Sequence, residues 1–141
     1  MLDKGKFIKI ARSWLGTKWQ HDQQIKGVGV DCVNFLTAVA IEYGCDLPPI
    51  PKNYERVSRN NEIIDYIADN FNCIYKKGIQ TKIEMKTTDI AVFNISGYST
   101  HVAIITEPYK IIHADNRVGR VIEHNLDGVW LRKLESIWRF K

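Results

Sequence analysis

Gly27-Val28-Gly29-Val30-Asp31-Cys32-Val33-Asn34-Phe35-Leu36 is the stretch around which the rest of the chain is organised. Two glycines break the chain into a loop, Asp31 stands where a helix should begin, and Cys32 falls in its first turn. The apolar run of Phe35, Leu36, Ala38, Val39, Ala40 and Ile41 predicts a helix over about 32–43, stopped by Gly44. A thiol placed there meets unpaired backbone amides and the positive end of the helix dipole, which favour the thiolate. The same amides can receive an oxyanion. Taken alone, such a cysteine is equally well explained as a small buried hydrophobe. The choice between nucleophile and packing residue rests on the other segments.

A chain of 141 residues with 45% apolar and 26% charged residues reads as one globular domain over 1–141, long enough to bury a core. The net charge of +4 suits an acidic partner, but the basic residues are scattered. With no Lys/Arg run interleaved with aromatics, no nucleic-acid partner is expected. Three cysteines, Cys32, Cys45 and Cys73, are too few and too unevenly spaced for a disulfide framework. Met1-Leu2-Asp3-Lys4-Gly5-Lys6 lacks the apolar core of a signal peptide, and no apolar stretch has the length of a membrane span. The expectation is a chain made in the cytoplasm, which needs a separate vehicle to act elsewhere.

Working outward, Phe7, Ile8, Ile10, Ala11, Trp14 and Leu15 recur at helical spacing and predict an amphipathic helix over 3–15, stopped by Gly16. Residues 17–30 read as loop and carry Trp19 and His21. Prolines 48, 49 and 51 make a surface loop, and 60–71 reads as another helix. From about 72 the period changes to short β-type runs: 73–75, 89–93, 101–105, 110–113, 121–123 and 136–140. Asn94-Ile95-Ser96-Gly97 and Asn116-Arg117-Val118-Gly119 are suited to hairpin connections. Helices first and an antiparallel sheet after them make the class α+β.

His101 opens one apolar strand and His113 closes the next, joined through Glu107-Pro108-Tyr109. A hairpin there brings both to one end of the sheet, although register decides which faces they share. A cysteine with an imidazole base, the base oriented by a third polar group, is the arrangement of a nucleophilic hydrolase. Cys32, His101 and His113 are also zinc-ligand types. The chain has no CxxC or HxxxH pair and no evident fourth ligand, so neither metal nor cofactor is expected.

Gly27-Val28-Gly29-Val30-Asp31-Cys32, Asp89-Ile90-Ala91-Val92-Phe93 leading to His101-Val102-Ala103-Ile104, and Ile111-Ile112-His113-Ala114 together resemble the NlpC family of cell-wall cysteine peptidases. Ala11-Arg12-Ser13-Trp14-Leu15-Gly16-Thr17 resembles the phage-tail and gene-transfer-agent members. The likeness runs from about residue 7 to 125. It implies a papain-like fold, with the nucleophile helix packed on a C-terminal antiparallel sheet. It implies hydrolysis of peptidoglycan stem peptides, commonly at the bond between D-γ-glutamyl and a diamino acid. By the same likeness Cys32 is the nucleophile, His101 the general base and His113 the residue that orients it. Asp31, Trp19 and His21 would lie on the substrate side, Asp31 also setting the helix start. A phage-tail or secretion assembly is the implied carrier to the wall. Two departures stand out: Val33-Asn34 replaces the usual Ser-Gly after the cysteine, and Lys18-Trp19 replaces a Pro-Tyr pair. His124, Cys45 and Cys73 are expected to be structural. A thiol amidase, an acyltransferase and a catalytically silent wall-binding subunit are the alternatives.

Overall fold

A helix whose first nine residues are all buried has to lie inside the molecule, and Cys32–Tyr43 (α2) does so. The computed structural model describes residues 2–50, 62–95 and 100–141. In it Asp31 caps α2 through a bond from the Asn34 amide (3.0 Å), and Gly44 ends it at φ 111°. Only glycine adopts that left-handed angle without strain. The two polar residues buried within α2 are satisfied: Asn34 Nδ2 donates to Asp31 Oδ1, and Thr37 Oγ1 lies 3.0 Å from the Tyr66 hydroxyl. Burying side chains such as Phe35, Leu36 and Val39 contributes about 1.5–3 kcal/mol each.

Among the described residues the helices are α1 (Lys4–Arg12), α2, α3 (Glu62–Asn70) and α4 (Gly128–Lys133). A two-stranded hairpin, β1 (Gln24–Ile25) and β2 (Gly29–Val30), precedes α2. The main sheet contains β3 (Phe71–Lys76), β4 (Ile90–Asn94), β5 (Thr100–Glu107), β6 (Lys110–Asp115), β7 (Arg120–Asn125) and β8 (Leu134–Phe140). Its order is β3-β8-β4-β5-β6-β7, and every neighbouring pair is antiparallel. The architecture is α+β, with helices and an antiparallel sheet.

Alternation along the strands divides the interior into two layers. Val92, Val102, Ile104, Ile112 and Ala114 join α1 and α2 in one cluster. Ala91, Phe93, Ala103, Ile105, Ile111 and Ile137 face the other way, against Trp130 of α4. No helix among the described residues is long and apolar enough to cross a membrane.

Several boundaries differ from the sequence reading. The first helix ends at Arg12 instead of 15, because the chain turns there to pair with β7: Gly16 N–H donates to Val121 O, and Val121 N–H to Thr17 O. The segment 17–30, read as loop, contains the β1–β2 hairpin. Gly29 eases a close approach there: a Cβ would push the tip of Gln23 (Oε1, 2.7 Å) aside and crowd Gln20 Cβ at 3.0 Å. The 60–71 helix gives way to strand at Phe71; residues 60 and 61 lie outside the described residues, as do Pro51, Ser96 and Gly97. Helix α4 was not anticipated, because six residues are too few to establish a period; Asp127 caps it through the Trp130 amide.

Candidate active site

The hairpin register settles the parity of the two histidines. Ile105 pairs with Ile111 and Ile104 with Ile112, so odd residues of β5 and odd residues of β6 share a face. His101 and His113 therefore point the same way. Across the next pair Ile111 faces His124, which adds an even residue of β7 to the same face. Three imidazoles lie in a diagonal row across three strands. His101 Nε2 is 2.6 Å from His113 Nδ1, His113 Nε2 is 2.8 Å from His124 Nε2, and His124 Nδ1 is 2.9 Å from the Asn125 carbonyl. Trp130 covers the row, its ring centroid 5.8, 5.1 and 5.7 Å from those of His101, His113 and His124.

His113 is fully buried and His101 half-buried. Burial pushes His101 down to about 4; Asp115 pulls the other way, while Arg117 and His124 lower it further. Burial, helped by positive charge at His101, His124 and Arg117, holds His113 far below the ordinary histidine range. Both rings are neutral near pH 7.

Cys32 sits at the start of α2, 9% exposed. Burial, and after it the Asp31 carboxylate, push its thiol up to about 12, against the pull of the amides of Val102, Val33 and Cys32 itself. The expected thiolate at the helix start is thus corrected. The amides favour it, but desolvation and the adjacent negative charge outweigh them. The Val102 amide places the sulfur against the peptide unit that joins His101 to Val102.

The remaining candidates lie before the cysteine. Asp31 is 2% exposed and its oxygens accept from Asn34 N, Asn34 Nδ2 and Asp22 N (2.6 Å). Asp22 presents that amide by adopting φ 59°, which aspartate tolerates better than most residues. His21 Nδ1 stands 3.9 Å from Asp31 Oδ2, with a third of its side chain exposed. Trp19 is half-buried against the α2 layer, its amide donating to Gly119 O. Among the described residues no group of three or more His, Cys, Asp or Glu side chains is arranged to hold a metal.

Sequence reasoning missed His124 and Trp130. His124 joins the buried row instead of serving only the packing of β7. The short turn at 116–119, with Asp115 facing Arg120, fixes the register, and counting back from it would have placed 124 opposite 111, on the same face as 113 and diagonal to it. Trp130 carried no comparable signal.

Solved structures share this fold. An NLP/P60 family protein, similar to lipoprotein, from Staphylococcus aureus superposes with a TM-score of 0.70 at 18% identity, covering 99% of this chain and 42% of its own. An NlpC/P60 family protein from Bacillus cereus gives 0.68 at 18% identity, over 99% and 40%. The peptidoglycan hydrolase RipB from Mycobacterium tuberculosis gives 0.67 at 15%, over 98% and 65%. The chain thus spans less than half the length of the first two structures. No family model matches the sequence, and no curated protein matches it. At these identities the likeness establishes the fold: that of the NlpC/P60 structures.

Proposed function

We propose that this chain is a cysteine peptidase of the NlpC/P60 type that hydrolyses peptide bonds in peptidoglycan stems, with Cys32 as nucleophile, His101 as general base and His113 orienting His101. The observation that carries the reading is the position of the Cys32 sulfur, against the His101–Val102 peptide unit, while His101 Nε2 is held by His113 at 2.6 Å. Fixing Nε2 leaves Nδ1 to take the thiol proton.

The resting pair is a neutral thiol and a neutral imidazole. Attack therefore proceeds with general-base assistance: the proton leaves sulfur for His101 as sulfur bonds to the scissile carbonyl. The amides of Val102, Val33 and Cys32, which point at the sulfur, are the donors available to the developing oxyanion. The imidazolium then returns its proton to the leaving amine, and water cleaves the thioester by the same route. His21 and Trp19 line the substrate side, and Asp31 sets the α2 start beside them. The D-γ-glutamyl–diamino acid bond, and delivery to the wall by a phage-tail or secretion particle, belong to this reading through the motif resemblance.

Digestion of purified peptidoglycan by wild type and Cys32→Ala tests it. Wild type is expected to release muropeptides. Cys32→Ala, folded by circular dichroism, should release none. Hydrolysis that persists in Cys32→Ala overturns the proposal. Mass spectrometry of a defined muropeptide identifies the bond and separates a peptidase from an amidase or acyltransferase.

A further inference from the structure

The histidine row does not end at the residue that orients the base, and its outer end dictates the state of its inner end. The Asn125 carbonyl can only accept, so the His124 nitrogen beside it, Nδ1, carries a hydrogen. Neutral His124 then offers a lone pair at Nε2, and His113 Nε2 must donate to it. His113 Nδ1 in turn accepts, and His101 Nε2 donates. One backbone carbonyl, acting through three rings, fixes the hydrogen of His101 on Nε2 and leaves the lone pair on Nδ1.

We infer that His124 is a positioning residue for His101, setting the tautomers of the row and giving the thiol proton a route to the protein surface. The inference rests on the peptidase reading for its purpose, but its geometry does not depend on that reading. The steps balance. The S–H bond of Cys32 breaks as an N–H bond forms at His101 Nδ1. The His101 Nε2 proton passes to His113 Nδ1, and the His113 Nε2 proton passes to His124 Nε2. One positive charge has moved from beside the sulfur to His124, which is half-exposed, whereas His113 is fully buried. His101 and His113 are left neutral with hydrogens on Nδ1. Reversal of the two inter-ring transfers restores the imidazolium at His101, which can then give Nδ1–H to a leaving amine.

Exposure, and not neighbouring charge, suits the outer end to an added proton. Asp115, 4% exposed, and Arg117 act on His101 with opposite signs. The guanidinium of Arg117 and the ammonium of Lys133 lie over Trp130, 5.2 and 5.6 Å from its ring. Glu123, next to His124 on β7, is engaged by Arg12 at 2.9 Å. Trp130 keeps water from the middle of the row while leaving its outer ring partly open.

Two variants separate positioning from transfer. Phe at 124 keeps a ring but offers no acceptor. Gln keeps an acceptor for His113 Nε2 but takes up no proton. Ring ¹⁵N spectra at pH 7 report the tautomers. The rate of iodoacetamide modification, followed on the Cys32 peptide by mass spectrometry, reports loss of the thiol proton without any peptidase substrate. Wild type should show Nε2–H at His101 and His113. His124→Phe should move both hydrogens to Nδ1 and slow modification on the order of tenfold, below the 10²–10⁴ of a direct acid–base group. His124→Gln should keep the wild-type tautomers and still slow modification. If His124→Phe leaves both readouts unchanged, the inference is overturned; if His124→Gln restores the rate as well as the tautomers, the proton route is. Wild type that reacts as expected at Cys32 but releases no muropeptide overturns the peptidase reading instead.

Discussion

The same sheet buries two polar clusters in opposite ways. Asp89, just before β4, is 1% exposed and holds Arg139 of β8 through two parallel bonds of 2.8 Å, with the Lys86 amide also donating to it. The histidine row, on the next three strands β5, β6 and β7, is joined ring to ring by hydrogen bonds with no such charge pair. Protonating Asp89 would leave a cation without its partner. Moving protons along the imidazoles replaces one satisfied arrangement by another. The first cluster fixes strands in place; the second fixes strands and still permits a proton to move.

Removing the inner histidine should give the largest effect. His101→Ala is expected to lower muropeptide release by ~10³-fold or more, with a far smaller change in melting temperature. A variant that keeps near-wild-type turnover places the base elsewhere and removes the distinction between the clusters. Arg139→Met should do the converse. It strands a buried carboxylate, at a cost of about 3 kcal/mol, the low end for breaking a buried pair because the guanidinium is partly exposed. Turnover of the folded fraction, assayed well below the melting point, should be unchanged. A loss of turnover there would mean that the ion pair also positions the row.

Acid sharpens the comparison. His101 and His113 have folded-state values below the ordinary 6.5, so between that pH and about 4 the unfolded chain binds protons that the folded chain refuses. Both contributions are complete above about pH 6.5; that of His101 is lost as pH falls through about 4, and that of His113 goes on falling below it. The slope approaches about 1.4 kcal/mol per pH unit for each such histidine. Urea unfolding from pH 7 to 4 should show this dependence, and His113→Gln should flatten it. An unchanged slope in the variant would assign the acid sensitivity to carboxylates instead.

What could be read in the sequence divides along a related line. The α2 start was legible because its signals are local: Asp31 caps through an amide three residues on, and Gly44 ends the helix by its own backbone angle. His101 and His113 were legible as strand-end residues, since the apolar runs beside them are strong. Their common face was not, because it depends on a register that shifts between Ile105 and Glu107. His124 stayed hidden because the second half of Arg120–Asn125 is wholly polar, Glu123-His124-Asn125, and Trp130 because α4 is too short to show a period. The state of the thiol was misjudged for the same reason. The amides of Cys32 and Val33 are local, whereas Cys32 is buried in a cluster that draws on α1 and on strands far along the chain.

Asp31 tests that last point with the smallest expected effect. It is a buried carboxylate like Asp89, but it stands beside a titrating group, with His21 3.9 Å away instead of a bidentate arginine. Its charge is the second cause, after burial, of the high thiol value. Asp31→Asn keeps a side-chain oxygen for the Asn34 amide and so keeps the cap. It loses the acceptor facing Asp22 N, costing about 1–3 kcal/mol of stability. Removing the charge lowers the thiol pKa, so iodoacetamide should modify Cys32 faster at pH 7.5, by about 3- to 10-fold. A rate unchanged in a folded variant would mean that desolvation alone keeps the sulfur protonated. The carboxylate would then serve α2 as Asp89 serves β4, as a fixed anchor with no part in the chemistry beside it.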